Sequence, residues 1–106
     1  MATESAPHTL FVTIERIDDK CVVLCAGDLV GSGCGYLQEK VTGLLPDHKL
    51  IVLDLGDIDF IDSLGLGTLV RLNVRCRQSG CHLQLRNVGN RIKDLLNLTN
   101  LLGIFA

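Results

Sequence analysis

Tryptophan is absent from this chain and aromatic residues make up 4% of it, so the stacking platforms used to bind single-stranded nucleic acid are missing. A formal net charge of −2 argues against the basic footprint that a duplex requires, and no direct nucleic-acid partner is expected. No segment approaches the ~18 apolar residues needed to cross a bilayer. Residues 1–7 are small and polar, without the apolar stretch of a signal peptide. These absences predict a cytoplasmic protein with no membrane insertion. The five cysteines, Cys21, Cys25, Cys34, Cys76 and Cys81, are odd in number and include no C-x-x-C pair, which excludes the usual spacings of a disulfide framework or a tetrahedral zinc site. They read as reduced and structural, with Cys21 and Cys25 on one face of a strand.

What is present is apolar residue in quantity. At 106 residues and 47% hydrophobic, the chain suits one compact core, with residues 1–7 as a flexible N-terminus and residues 8–106 as a single domain. Leu10, Val12 and Ile14 alternate with Phe11, Thr13 and Glu15 as in a half-buried strand, and Asp18-Asp19 turns the chain into a second strand over 21–26. Residues 31–35, rich in glycine, loosen the chain before a helix marked by Leu37, Val41, Leu44 and Leu45, which Pro46 stops. The continuous apolar run 50–55 reads as a strand buried on both faces. It leads through a loop to a helix starting at Ser63, with Leu66, Leu69, Val70 and Val74 inward and Arg71, Arg75 and Gln78 outward. Gly80 ends that helix in the left-handed conformation. A strand over 81–86 follows, then a short helix capped by Asn90 and carrying Ile92, Leu95 and Leu96, and residues 103–106 start a last strand. This order predicts an α/β domain: a mixed β-sheet with an opening hairpin and parallel later strands packed with helices.

The approach to Ser63 carries the most information. Asp62 is a good N-cap, able to accept a hydrogen bond from the N–H of Leu64 or Gly65, which places the Ser63 hydroxyl in the first helical turn where negative charge is favoured. Asp54, Asp57, Asp59 and Asp62 crowd this approach and predict an acidic edge. Six of the ten basic residues fall at Arg71, Arg75, Arg77, Arg86, Arg91 and Lys93 and read as a solvated helix face with neighbouring surface. Gly65 and Gly67, costly so early in a helix, point to close approach of a partner surface or a neighbouring strand.

Several chemistries fail on residue identity. A nucleophile elbow needs glycine two residues before the serine, where Ile61 stands, and nothing in the spacing of His8, His48 and His82 marks a base. Residues 31–35 lack both the dinucleotide fingerprint and the Gly-Lys-Ser/Thr ending of a P-loop. The aspartates lack the glycine and terminal glutamate of a calcium loop. A displayed serine in an acidic neighbourhood, with no catalytic partner set, describes a modification site on a protein that is not an enzyme.

Val52-Leu53-Asp54-Leu55 followed by Ile58-Asp59-Phe60-Ile61-Asp62-Ser63-Leu64-Gly65-Leu66-Gly67 closely resembles the signature of STAS domains of the anti-sigma factor antagonist type. Gly27-Asp28-Leu29 resembles the family's exit from its second strand, and Leu83, Leu85 and Asn87 its fourth strand. The resemblance implies a partner-switching regulator with no cofactor or metal. Unphosphorylated, it binds an anti-sigma factor that is also a serine kinase of histidine-kinase-like ATPase fold and frees a sigma factor. Phosphorylation of Ser63 ends the contact, and a serine phosphatase resets it. The docking surface so implied comprises Asp28, Val30, Ser32, Asp59, Asp62, Leu64 and Gly65. Val30 stands where the family commonly has aspartate, and Leu64 where it often has a second small residue. The family's usual C-terminal continuation is missing, which implies exposed apolar surface and possible self-association. Two other roles fit the resemblance: a scaffold subunit of a stressosome-like assembly, and a non-enzymatic binding module of a transport complex.

Overall fold

The computed structural model describes the backbone of residues 3–5 together with residues 10–45 and 48–99. Its elements run β1 (Thr3–Ser5), β2 (Leu10–Ile17), β3 (Lys20–Leu29), α1 (Ser32–Thr42), β4 (Leu50–Ile61), α2 (Ser63–Gln78), β5 (His82–Arg86) and α3 (Asn90–Leu98). The strands form one sheet in chain order. β1, β2 and β3 pair antiparallel, whereas β3, β4 and β5 pair parallel. This is the mixed α/β sheet that the alternation of elements predicts, opened by a hairpin whose turn residue Asp18 has φ 54°, a conformation that aspartate tolerates better than most residues. β1 lies inside the segment expected to be loose. The expected stop at Pro46 and the expected last strand over 103–106 lie outside the described residues.

One apolar cluster holds the domain together. Leu10, Val12, Cys21, Val23, Cys25, Ile51, Leu53, Leu55 and Leu83 from the strands meet Leu37, Val41, Leu69, Leu72, Cys76, Ile92 and Leu96 from the helices. The strand members are alternate residues of one sheet face, so the helices pack on that face. Val22 and Val52 are register partners of opposite parity, buried but not part of this cluster. Residues 51–55 of β4 are therefore all buried, as the apolar run 50–53 predicts, with Asp54 the one charged residue among them.

Local details depart from the sequence reading, each for a packing reason. β4 continues through Ile61 with no intervening loop, because β3 also continues to Leu29 and pairs with it, absorbing two register shifts on the way. Residues 31–35 are not loose: α1 begins at Ser32, and a side chain at Gly33 would meet Leu10 Cβ at 3.2 Å. The helix ends at Thr42, and Leu44 and Leu45 are buried beyond it. In α2 the buried stripe is Gly65, Leu66, Thr68, Leu69, Leu72, Asn73 and Cys76, which follows the helical period. Val70 is half-buried and Val74 is 47% exposed, so neither belongs to the core as expected. Gly80 does end α2 in the left-handed region, at φ 74°. Asn90 is not the cap of α3; Gly89 holds that place, with no side-chain hydrogen bond.

Candidate functional site

Asp62 separates β4 from α2 with an extended backbone, and its Oδ1 accepts a hydrogen bond from Gly65 N–H at 2.8 Å. The cap is the one expected. It leaves Ser63 as the first helical residue, exposed, at the positive end of a helix whose first turn contains no acid. Phe60, near the end of the preceding strand, and Leu64, the next residue of the helix, are each 48% exposed. Asp57 and Asp59 are exposed on the preceding strand.

Gly65 lies beneath this surface rather than on it. A Cβ there would collide with the Leu29 carbonyl oxygen and approach Ile61 Cγ1 to 2.6 Å. The bare backbone is needed for α2 to close against the ends of β3 and β4, which settles the neighbouring-strand alternative and removes Gly65 from direct contact with a partner. Gly67 has no such requirement, its nearest neighbour being Arg71 Nη1 at 3.4 Å.

The parallel pairing of β3 with β4 brings the second part of the site to the same end. Asp28 is in register with Phe60 and Leu29 with Ile61. Val30 follows, and Gly31, at φ 55°, swings the chain into α1. The Val30 and Gly31 carbonyls accept from the Gly33 and Cys34 N–H groups, both at 3.1 Å. Ser32 is thus an exposed helix start beside the start of α2, and Asp28 and Val30 are half-buried. Asp28, Val30, Ser32, Asp59, Asp62 and Leu64 all belong to the end of the sheet that carries Ser63.

Asp54 does not. It is 8% exposed and accepts hydrogen bonds from Gly56 N–H at 2.9 Å, Arg86 Nε at 3.0 Å and Asn87 Nδ2 at 3.0 Å, with Arg86 Nη2 at 2.9 Å completing an ion pair. Burial pushes its carboxyl up, but these hydrogen bonds and the Arg86 charge outweigh it and hold the group below the usual carboxylate range. The acidic edge therefore loses Asp54 and the basic run loses Arg86, each neutralised by the other. The signal was available in parity: Asp54 falls on the opposite face of β4 from Leu53 and Leu55.

Nucleophilic chemistry finds no support in the arrangement. His82 is in register with Leu50, at the end of β4 remote from Ser63, and His48 precedes that strand with its Nδ1 3.0 Å from the Leu44 carbonyl oxygen. His8 lies outside the described residues. All five cysteines are buried, and burial pushes the Cys25 and Cys76 thiols up to about 12, where no reactive thiolate forms at neutral pH. Among the described residues no group of three His, Cys, Asp or Glu side chains is placed to hold a metal ion, and no helix is long and apolar enough to cross a membrane.

Residues 12–105 match the family model described as Mlab, STAS domain. The chain is 27% identical over 93 residues to the anti-sigma-B factor antagonist of Bacillus subtilis strain 168, covering 88% of this chain and 85% of that protein. Its fold is shared with an anti-sigma factor antagonist from Mycobacterium paratuberculosis, at TM-score 0.78 and 23% identity, over 96% of this chain and 87% of that one. It is shared also with the Bacillus cell fate determinant SpoIIAA in its phosphorylated form, at TM-score 0.72 and 15% identity, over 89% and 86% of the two chains. The serine that begins α2 in this parallel half-sheet thus sits in a known architecture, and the chain belongs to the STAS domain family.

Proposed function

We propose that this chain is an anti-sigma factor antagonist whose partner exchange is controlled by phosphorylation of Ser63. The observation that carries the reading is the exposed Ser63 at the capped start of α2, with half-exposed Phe60 and Leu64 close to it in the chain. The relatives named above support the role.

In the unphosphorylated state Phe60 and Leu64 supply the apolar centre of a docking surface, and Asp28, Ser32 and Asp59 supply its polar rim. The partner is an anti-sigma factor with serine kinase activity and a histidine-kinase-like ATPase fold, and its capture frees a sigma factor. Phosphorylation moves the γ-phosphoryl group of ATP to Ser63 Oγ. ADP leaves, and the hydroxyl proton passes to a base on the kinase. The modification adds about −1.5 to −2 charges beside Asp59 and Asp62, where the partner surface must accept them, while the end of α2 tolerates them. The switch therefore acts on docking and spares the fold. A serine phosphatase hydrolyses the ester and restores the surface. Val30 lacks the polar contacts that an aspartate would offer at this point, so kinase recognition rests more heavily on the Ser63 side of the site.

Incubation with the cognate kinase and ATP tests the assignment: intact-mass spectrometry should find one added phosphate on the wild type and none on Ser63→Ala. Phosphate on Ser63→Ala would overturn it. A segment of the murine Slc26a9 anion transporter shares this fold at TM-score 0.69 and 17% identity, over 79% of this chain and 14% of that one, and a second reading is therefore a non-enzymatic binding module of a transport complex. Affinity capture with wild-type and Ser63→Asp protein separates the two, since a transport module retains its partner in both forms.

A further inference from the structure

A groove of about 940 Å³ runs between α1 and α2. Its apolar part is the half-buried Val70 and the half-exposed Val74, one turn apart on α2, and the buried Leu72 lines it from the core side of that helix. Arg71 and Arg75 form one wall and Glu39 the other. Three features of this groove have no explanation inside the fold. Gly35 borders it from within α1, where glycine weakens a helix, yet a Cβ built there meets nothing within 4 Å. Val74 is an apolar side chain left 47% exposed in the middle of a helix. Arg71 and Arg75 lie one turn apart on a helix that contains no acid, an arrangement in which like charges repel, and the Arg71 guanidinium reaches a hydroxyl, Thr68 Oγ1, at 3.4 Å.

We propose that this groove docks an amphipathic helix of a partner protein, apolar stripe down on Val70 and Val74, which lie one turn apart, with a column of carboxylates against Arg71 and Arg75. The charge pattern selects the occupant: a basic wall faced by an acidic one orients a helix that carries acids along one flank and a base along the other. The missing side chain at Gly35 lets the occupant's backbone approach α1. A small molecule fits less well, because the polar groups stand at the exposed rims and none is buried and directed into the floor. The groove is set apart from Ser63 along α2, where its residues 70–75 lie two to three turns away, about 10–18 Å at the helical rise.

The probe is a synthetic helical peptide with Leu at positions a and d of each heptad, Glu along one flank and Lys along the other, titrated into the full chain labelled with ¹⁵N. Amide shifts should concentrate on Gly35, Val70 and Val74. Binding should weaken about tenfold or more with Gly35→Phe, which fills the groove, and with Arg75→Glu, and a peptide with Lys on both flanks should bind as weakly as those variants. Gly35→Ala should melt no lower than the wild type, showing that the position tolerates a side chain. Ser63→Asp should bind the peptide as the wild type does. Shifts centred elsewhere, equal binding of the all-Lys peptide, undiminished binding by Arg75→Glu, or a dimer in light scattering that Gly35→Phe dissolves would each overturn the proposal.

Discussion

Two glycines in similar helical positions make opposite predictions. Gly65 is pressed against the Leu29 carbonyl and Ile61, whereas Gly35 faces open space. Gly65→Ala gains about 1 kcal/mol of helix propensity but forces a methyl group onto backbone, an overpacking cost of about 1–3 kcal/mol or more, and we predict net destabilisation in urea melts. Gly35→Ala meets no such obstacle, and we predict a gain of about 0.4–1 kcal/mol. A stabilised Gly65→Ala protein would show that α2 does not close on β3 as described. Asp54 makes a pH prediction. Its folded pKa is depressed, so the stability it contributes is present above the unfolded carboxylate value of about 3.9 and is lost as pH falls through the folded value. Asp54→Asn should cost about 1–3 kcal/mol at pH 7 through the charged hydrogen bonds it weakens. The gap to wild type should narrow below pH ~4; a gap that held constant down to pH 2 would mean the charge contributes nothing. Neither the Gly65 contact nor the Asp54 pair is local. Gly65 looks costly in the sequence, but only the placement of Leu29 more than thirty residues earlier explains it.

At the scale of elements, what could be read was what repeats. The period of two in β2, the unbroken run in β4, the cap at Asp62 and the stop at Gly80 were all legible, because each depends on residues within a few positions of one another. The inward face of α2 was legible only in part. Leu66 and Leu69 are buried as expected, but Val70 and Val74 attract attention by being apolar, while the period that includes Leu69, Leu72 and Cys76 passes them by. The extensions of β3 and β4 were illegible for another reason. Their last residues, 27–29 and 57–61, hold each other through ladder hydrogen bonds across register shifts, and neither segment reads as a strand alone. The α2 face can be tested directly. Leu72→Ala should cost about 2–5 kcal/mol, as for a fully buried leucine, and Val74→Ala should stay within about 0.5 kcal/mol of wild type. Equal losses for the two would restore Val74 to the core and close the groove beside it.

For the molecule as a whole, chain order alone made the site's location foreseeable. Parallel strands followed by helices must start those helices at the same end of the sheet, so Ser32 and Ser63 were bound to be neighbours once β3 and β4 were read as adjacent. The capped helix start at that end was legible from Asp62 and Ser63, and the helix-bearing face is what supports it: α2 is held by Leu66, Leu69, Leu72 and Cys76 from below, independently of what happens to the hydroxyl above. This separation makes the last prediction sharp. Ser63→Asp adds a negative charge where the helix N-terminus welcomes it, so its melting temperature and circular dichroism should match those of wild type and Ser63→Ala. Partner affinity should divide the three. Ser63→Ala loses a hydroxyl at an exposed position and should bind as wild type, whereas Ser63→Asp introduces an unmatched charge into the contact and should lose about 1–3 kcal/mol of binding. Calorimetry with the anti-sigma factor of the proposed function measures this directly. Equal affinities would remove Ser63 from the docking surface, and a lowered melting temperature in Ser63→Asp would mean that the charge acts on the fold and that docking and stability are not separate after all.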